Sequence, residues 1–235
     1  MFFTFALFLI ASSMIITTTS LPSDIKLCTS FNDNECLLNT PNYILQKHSN
    51  GIKNHLDSID PLKIDSMSVE QTSGPVNILA KLNNFDIVGF SKAKIYKFSG
   101  FENNLLDLRM KMPIATLLGP YDVIGKIFIL NISGVGKLKL TFKNFDVIMS
   151  LPFTKENRDG KSFIKIEQPQ MTFDITGGDV SMSHLGAISN AFLNSNFNRI
   201  IDAIKPAISK SLIEKLSQKI NLFFEANSIE ELFIN

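Results

Sequence analysis

From Leu62 to about Met182, apolar and polar residues alternate with a period of two, and this restricts the fold more than any other feature of the chain. In Asp107-Leu108-Arg109-Met110-Lys111-Met112 the charges take one face and the apolar groups the other, as in a half-buried strand. Lys137-Leu138-Lys139-Leu140-Thr141-Phe142 and Met171-Thr172-Phe173-Asp174-Ile175-Thr176 repeat the device, and Ile78, Ala80 and Leu82 form a further apolar set. Gly74-Pro75, Gly119-Pro120, Arg158-Asp159-Gly160 and Gly177-Gly178 read as turns between strands. Strands joined by short turns give an antiparallel sheet, and a sheet with one apolar face needs a cover. Gly125, Gly134 and Gly136 read as turn or bulge positions.

The C-terminal quarter supplies the cover. Leu185, Ile188, Phe192, Ile200, Ile204, Ile208, Leu212, Leu216, Ile220 and Phe223 recur every three or four residues, with one slip near Asn196. This predicts one amphipathic helix of about 40 residues, roughly 60 Å long. Pro206 lies inside it and should bend it. Before the sheet, Asn34 to Ser49 reads as a broken helix, with Thr40-Pro41 as N-cap and first helical residue and Gly51 as its stop. The fold class is therefore α+β: a short N-terminal helix, a large antiparallel sheet and one long C-terminal helix. Periodicity is silent on whether the space between sheet and helix is filled, and a close-packed interior is the default.

The first twenty residues carry no charged side chain, and Thr18 and Ser20 stand where a signal peptidase needs small residues before Leu21. Residues 1–20 are expected to be a cleaved signal peptide. The competing reading, a membrane anchor, needs about 20 predominantly apolar residues, and this run is broken by Ser and Thr. The remaining 21–235 form one domain of a secreted, extracellular protein with no stable membrane insertion. Lys plus Arg number 23 against 22 Asp plus Glu, a balance that argues against nucleic acid as a partner. Cys28 and Cys36, eight positions apart, read as a local disulfide in an exported chain. Neither a metal site nor a cofactor is called for. Asn131-Ile132-Ser133 is a glycosylation sequon, usable if Asn131 is exposed. Twenty Phe and no Trp mark an interior rich in large groups without polar handles.

Three ordered stretches resemble the takeout and juvenile hormone binding protein family of insects. The first is Leu21-Pro22 with Cys28 and Cys36, then Gly51-Ile52 and Asp60-Pro61-Leu62. The second is Gly119-Pro120-Tyr121, Gly125-Lys126-Ile127 and Gly134-Val135-Gly136. The third is the long helix with Asn198-Arg199-Ile200-Ile201, ending in Leu222-Phe223-Phe224 and Glu231-Leu232-Phe233. The resemblance implies a highly curved antiparallel sheet wrapped around the long helix and enclosing an apolar tunnel. It also implies a carrier of fatty acids, terpenoids, juvenile hormone-like or quinone-like lipids. Juvenile hormone binding proteins of moths carry a second disulfide, for which this chain has no cysteines. That departure favours the takeout-like branch.

The candidate ligand-binding residues are Leu108, Met110, Met112, Leu138, Leu140, Phe142, Met171 and Phe173 from strands, with Phe192, Ile200 and Ile204 from the helix. For each of them, plain core is the competing reading. Tyr121 could offer a hydroxyl to a ligand or hydrogen-bond within its turn. The rival reading as an ester hydrolase lacks Gly-x-Ser-x-Gly; Gly89-Phe90-Ser91-Lys92-Ala93 comes nearest. His48, His55 and His184 read as exposed surface residues, so no catalytic residue is assigned. A third reading is a signalling or interaction protein holding a structural lipid. A monomer is expected, and a receptor is left open.

Overall fold

The computed structural model describes residues 21–233; the signal peptide expected over 1–20 lies outside the described residues. Helix α1 (Asn34–Lys47) starts at Asp33, whose carboxylate accepts the Cys36 N–H at 3.0 Å. It runs unbroken through Pro41, which corrects the broken helix expected there. Thr40 is not a cap: its hydroxyl donates to the Lys26 carbonyl at 2.6 Å. The bond lost at Pro41 is tolerated because the helix is held from outside. Leu37 and Leu45 are buried, and the Cys28–Cys36 disulfide ties its first turn to the preceding segment, with a Cα–Cα distance of 5.6 Å.

Eight strands follow: β1 (Leu62–Gln71), β2 (Val76–Val88), β3 (Lys94–Ser99), β4 (Leu105–Ile127), β5 (Leu130–Arg158), β6 (Lys161–Ile166), β7 (Gln170–Asp174) and β8 (Gly177–Met182). The long strands β4 and β5 form a ribbon paired from Leu105↔Pro152 to Ile127↔Leu130. The other strands hang from it. β2 and β3 pair with successive parts of β4, β1 continues beyond β2, and β8, β7 and β6 pair with successive parts of β5. All pairings are antiparallel.

Gly119-Pro120 lies within β4 and is not a turn. Opposite it, β2 slips register between Leu82 and Asp86. Proline is tolerated in a central strand at such a bulge. A Cβ on Gly119 would sit 2.5 Å from the Phe85 Cβ, so the bulge closes onto a bare backbone. Gly125, Gly134 and Gly136 also fall within strands, and Gly177-Gly178 opens β8.

The single helix expected at the C-terminus is two: α2 (Ala187–Ser195) and α3 (Phe197–Ala226), followed by the short α4 (Ile229–Leu232). The break falls at Asn196, where the hydrophobic period slips, with φ −113° and ψ 15°. The Asn196 side chain donates to the Phe192 carbonyl at 2.9 Å and helps close α2. Helix α3 is therefore 30 residues, or about 45 Å. Pro206 lies inside it without ending it. Helix α3 packs on β1 at one side of the sheet and on β6, β7 and β8 at the other. Both sides can reach one helix only because the sheet curls around it.

Candidate functional site

The ribbon's inward set is even-numbered along β4 from Leu106 to Met112 and odd-numbered from Ala115 to Leu117. On β5 the matching switch runs from Phe145 to Phe142. Between them the ladder skips Pro113 and Asn144, and Asn144 has φ 50°. This break lets both strands turn while keeping apolar side chains on the concave face.

Between this face, α1 and the second half of α3 lies a cavity of about 870 Å³. That is near the upper end for small-molecule sites. Helix α1 contributes Leu37, Ile44 and Leu45, the strands contribute Met67, Ile87, Leu106, Val147 and Leu151, and α3 contributes Ile208, Leu212, Leu216, Ile220 and Phe223. Five methionines, Met67, Met110, Met112, Met149 and Met171, give a wall that can adapt to varied shapes. Phe142 and Phe145 stack at 5.2 Å between ring centroids and form an aromatic floor. Phe173 and Phe197 pack behind them, at 4.9 Å from Phe145 and 6.1 Å from Phe142. At another wall, Phe98, Phe101 and Phe233 meet edge to face, with Phe31 stacked on Phe101 at 5.4 Å. Cys28 forms an isolated bridge with Phe233, so the disulfide segment and the C-terminal segment close this wall together.

Polar side chains gather at one rim, formed by the segment 50–58 and α3. Asn50, Lys53, Asn54, His55, Asp57 and Ser58 line the cavity there, as does Lys219. Leu222 beside them lines the cavity and is 53% exposed, which marks the mouth. Asp57 reaches Lys219 at 3.5 Å, and the His55 ring pairs with Asn227 at 2.6 Å. Asn227 is almost fully buried and donates to the His55 and Phe223 carbonyls at 3.0 and 2.7 Å. The mouth segment is thus pinned to the end of α3.

Of the residues named from the sequence, Leu108, Met110, Met112, Phe142 and Met171 line the cavity. Phe173 lies behind the floor and does not line it. Leu138, Leu140, Phe192, Ile200 and Ile204 fill the other half of the curled sheet and line no part of the cavity. Tyr121 is buried outside it, and its hydroxyl donates to the Ser183 carbonyl at 2.6 Å. Burial raises the Tyr121 pKa. The tube is therefore hollow in one half and packed in the other. The lining from α1, segment 50–58 and α3 was not named from the sequence. Its one legible signal was the α3 stripe continuing past Ile204 through Leu212 and Leu216.

Two of the three histidines are not simple surface residues. His48 is half-buried and bonds Asp24 at 2.9 Å, and His55 is half-buried at the mouth. His184 is exposed, and its Nδ1 faces the Val135 carbonyl at 3.2 Å. Asn131 is exposed in β5. Among the described residues no three His, Cys, Asp or Glu side chains gather as a metal site, and no helix is long and apolar enough to cross a membrane.

The model of a family described as haemolymph juvenile hormone binding protein (JHBP) matches residues 4–234. The circadian clock-controlled protein daywake of Drosophila yakuba is 25% identical over 219 residues, covering 85% of this chain and 83% of that protein. The crystal structure of Takeout 1 from Epiphyas postvittana superposes with a TM-score of 0.76 at 18% identity, covering 89% of this chain and all of that one. Its curled sheet and long C-terminal helix are the fold described above. With the family match spanning almost every residue, the chain belongs to the haemolymph juvenile hormone binding protein family.

Proposed function

We propose that the chain is a secreted, non-enzymatic carrier that holds one small hydrophobic molecule in the cavity. The observation that carries this reading is an apolar space of about 870 Å³ lined by the curled sheet, α1 and α3. At about 25 cal/mol per Å², removing ~400 Å² of ligand from water yields roughly 10 kcal/mol before the costs of association. Family membership supports carriage over catalysis, since the family is named for binding. The disulfide suits an oxidising, extracellular compartment, in keeping with the leader expected over residues 1–20. The protein acts as a monomer, and exposed Asn131 is a site for glycosylation.

The test is extraction of the natively secreted protein followed by mass spectrometry of any lipid, with uptake of a neutral fluorescent hydrophobic probe by the delipidated protein. A releasable lipid and saturable, displaceable uptake are expected. A protein that yields no lipid and excludes the probe is not a carrier. Turnover of an ester substrate, lost on changing one serine, would revive the hydrolase instead.

A further inference from the structure

Helix α3 presents its cavity stripe as Leu212, Leu216, Ile220 and Phe223. Lys219 sits seven residues after Leu212 and three after Leu216, on that same stripe, and its side chain lines the cavity. A charge at that position needs a reason, because every other α3 side chain named on the stripe is apolar. Its stem lies along the apolar wall, and its ammonium reaches the rim. There its one ionic partner among the described residues is Asp57, at 3.5 Å, a loose contact to a side chain that is 73% exposed. An ammonium has three donors, so this contact leaves capacity for a guest. Lys53 adds a second positive charge to the rim. From Ile208, the first α3 residue in the wall, to Lys219 the helix rises roughly 16 Å along an apolar surface.

We propose that the cavity selects a long-chain lipid with an anionic carboxylate head, which displaces Asp57 and pairs with Lys219 at the mouth while the tail lies along α3. This rests on the carrier reading above and adds the residue that selects the head group among the lipids the resemblance implies. The competing carboxylate of Asp57 is swung out to solvent when the guest arrives, so Lys219 is never left without a counter-charge.

The experiment measures displacement of a neutral fluorescent probe by palmitate, by methyl palmitate and by hexadecanol at neutral pH. Palmitate is expected to bind about tenfold more tightly than either neutral analogue, a charge-assisted contact weakened by solvent at the rim. Lys219→Met should bring palmitate down to the level of the methyl ester, with an unaltered far-ultraviolet circular dichroism spectrum showing that the variant is folded. Lys219→Arg should keep the preference. Asp57→Asn should tighten palmitate alone, because it removes the competitor. Equal binding of acid and ester by the unaltered protein, or equal loss of both in Lys219→Met, overturns the assignment of the head group and leaves the carrier standing. Failure of all three ligands and of the probe to enter overturns both.

Discussion

Leu212 and Ile204 are both buried, both on α3 and both members of one hydrophobic stripe, yet they meet different surroundings. Leu212 borders the cavity, whereas Ile204 lies in the packed half. Truncating a side chain in a filled core costs its transfer energy and a new cavity, about 2–5 kcal/mol for Ile→Ala. Beside an existing void, fewer contacts are lost. Ile204→Ala is therefore expected to lower the unfolding free energy of the lipid-free protein by at least ~1 kcal/mol more than Leu212→Ala. Urea denaturation of the two variants measures this, and equal losses would contradict a half-hollow tube. The same pair shows why the lining was only partly legible. Alternation placed Leu108, Met110 and Met112 on the inner face, but no local pattern separates a stripe residue beside a void from one beside another side chain. That difference depends on partners far along the chain, such as Ile44 and Phe233.

Elements are tied together by asparagine amides. Asn190 and Asn194, one turn apart on α2, each accept from and donate to the backbone of β8, at Met182 and Val180, over 2.7–2.9 Å. Asn42 of α1 treats Ile95 of β3 the same way at 2.8 Å, and Asn221 of α3 does so for Ile166 of β6. A primary amide carries one acceptor and donors in the geometry of a peptide group, so each side chain stands in for a neighbouring strand. Exposed strand edges otherwise recruit other chains. Replacing Asn190 and Asn194 together by Ala should leave the edge of β8 away from β5 unpaired and raise the fraction of oligomer in size-exclusion chromatography, with probe uptake retained. A variant that stays monomeric would show that α2 shields β8 by bulk alone. The sequence suggested none of this, because asparagine reads as a turn former. The same blind spot joined α2 and α3 into one helix. The alternation and the stripe, by contrast, were strong enough to fix the antiparallel sheet and its helical cover.

At the scale of the whole molecule, the two ends of the described chain meet. Cys28 bridges to Phe233, and Phe31 packs edge-on to Phe233 at 4.5 Å. The disulfide limits the unfolded chain by about 2.5 kcal/mol in the chain-entropy model. Replacing both cysteines with serine should lower stability by about that amount in denaturant melts and speed the release of bound probe, since one wall of the cavity hangs on that segment. An unchanged release rate would mean that guests leave by the polar mouth alone. The floor of Phe142 and Phe145 has a further consequence. On the carrier proposal the two rings set a length limit: a tail that ends above them fits, and a longer one must coil back on itself or trail into the water.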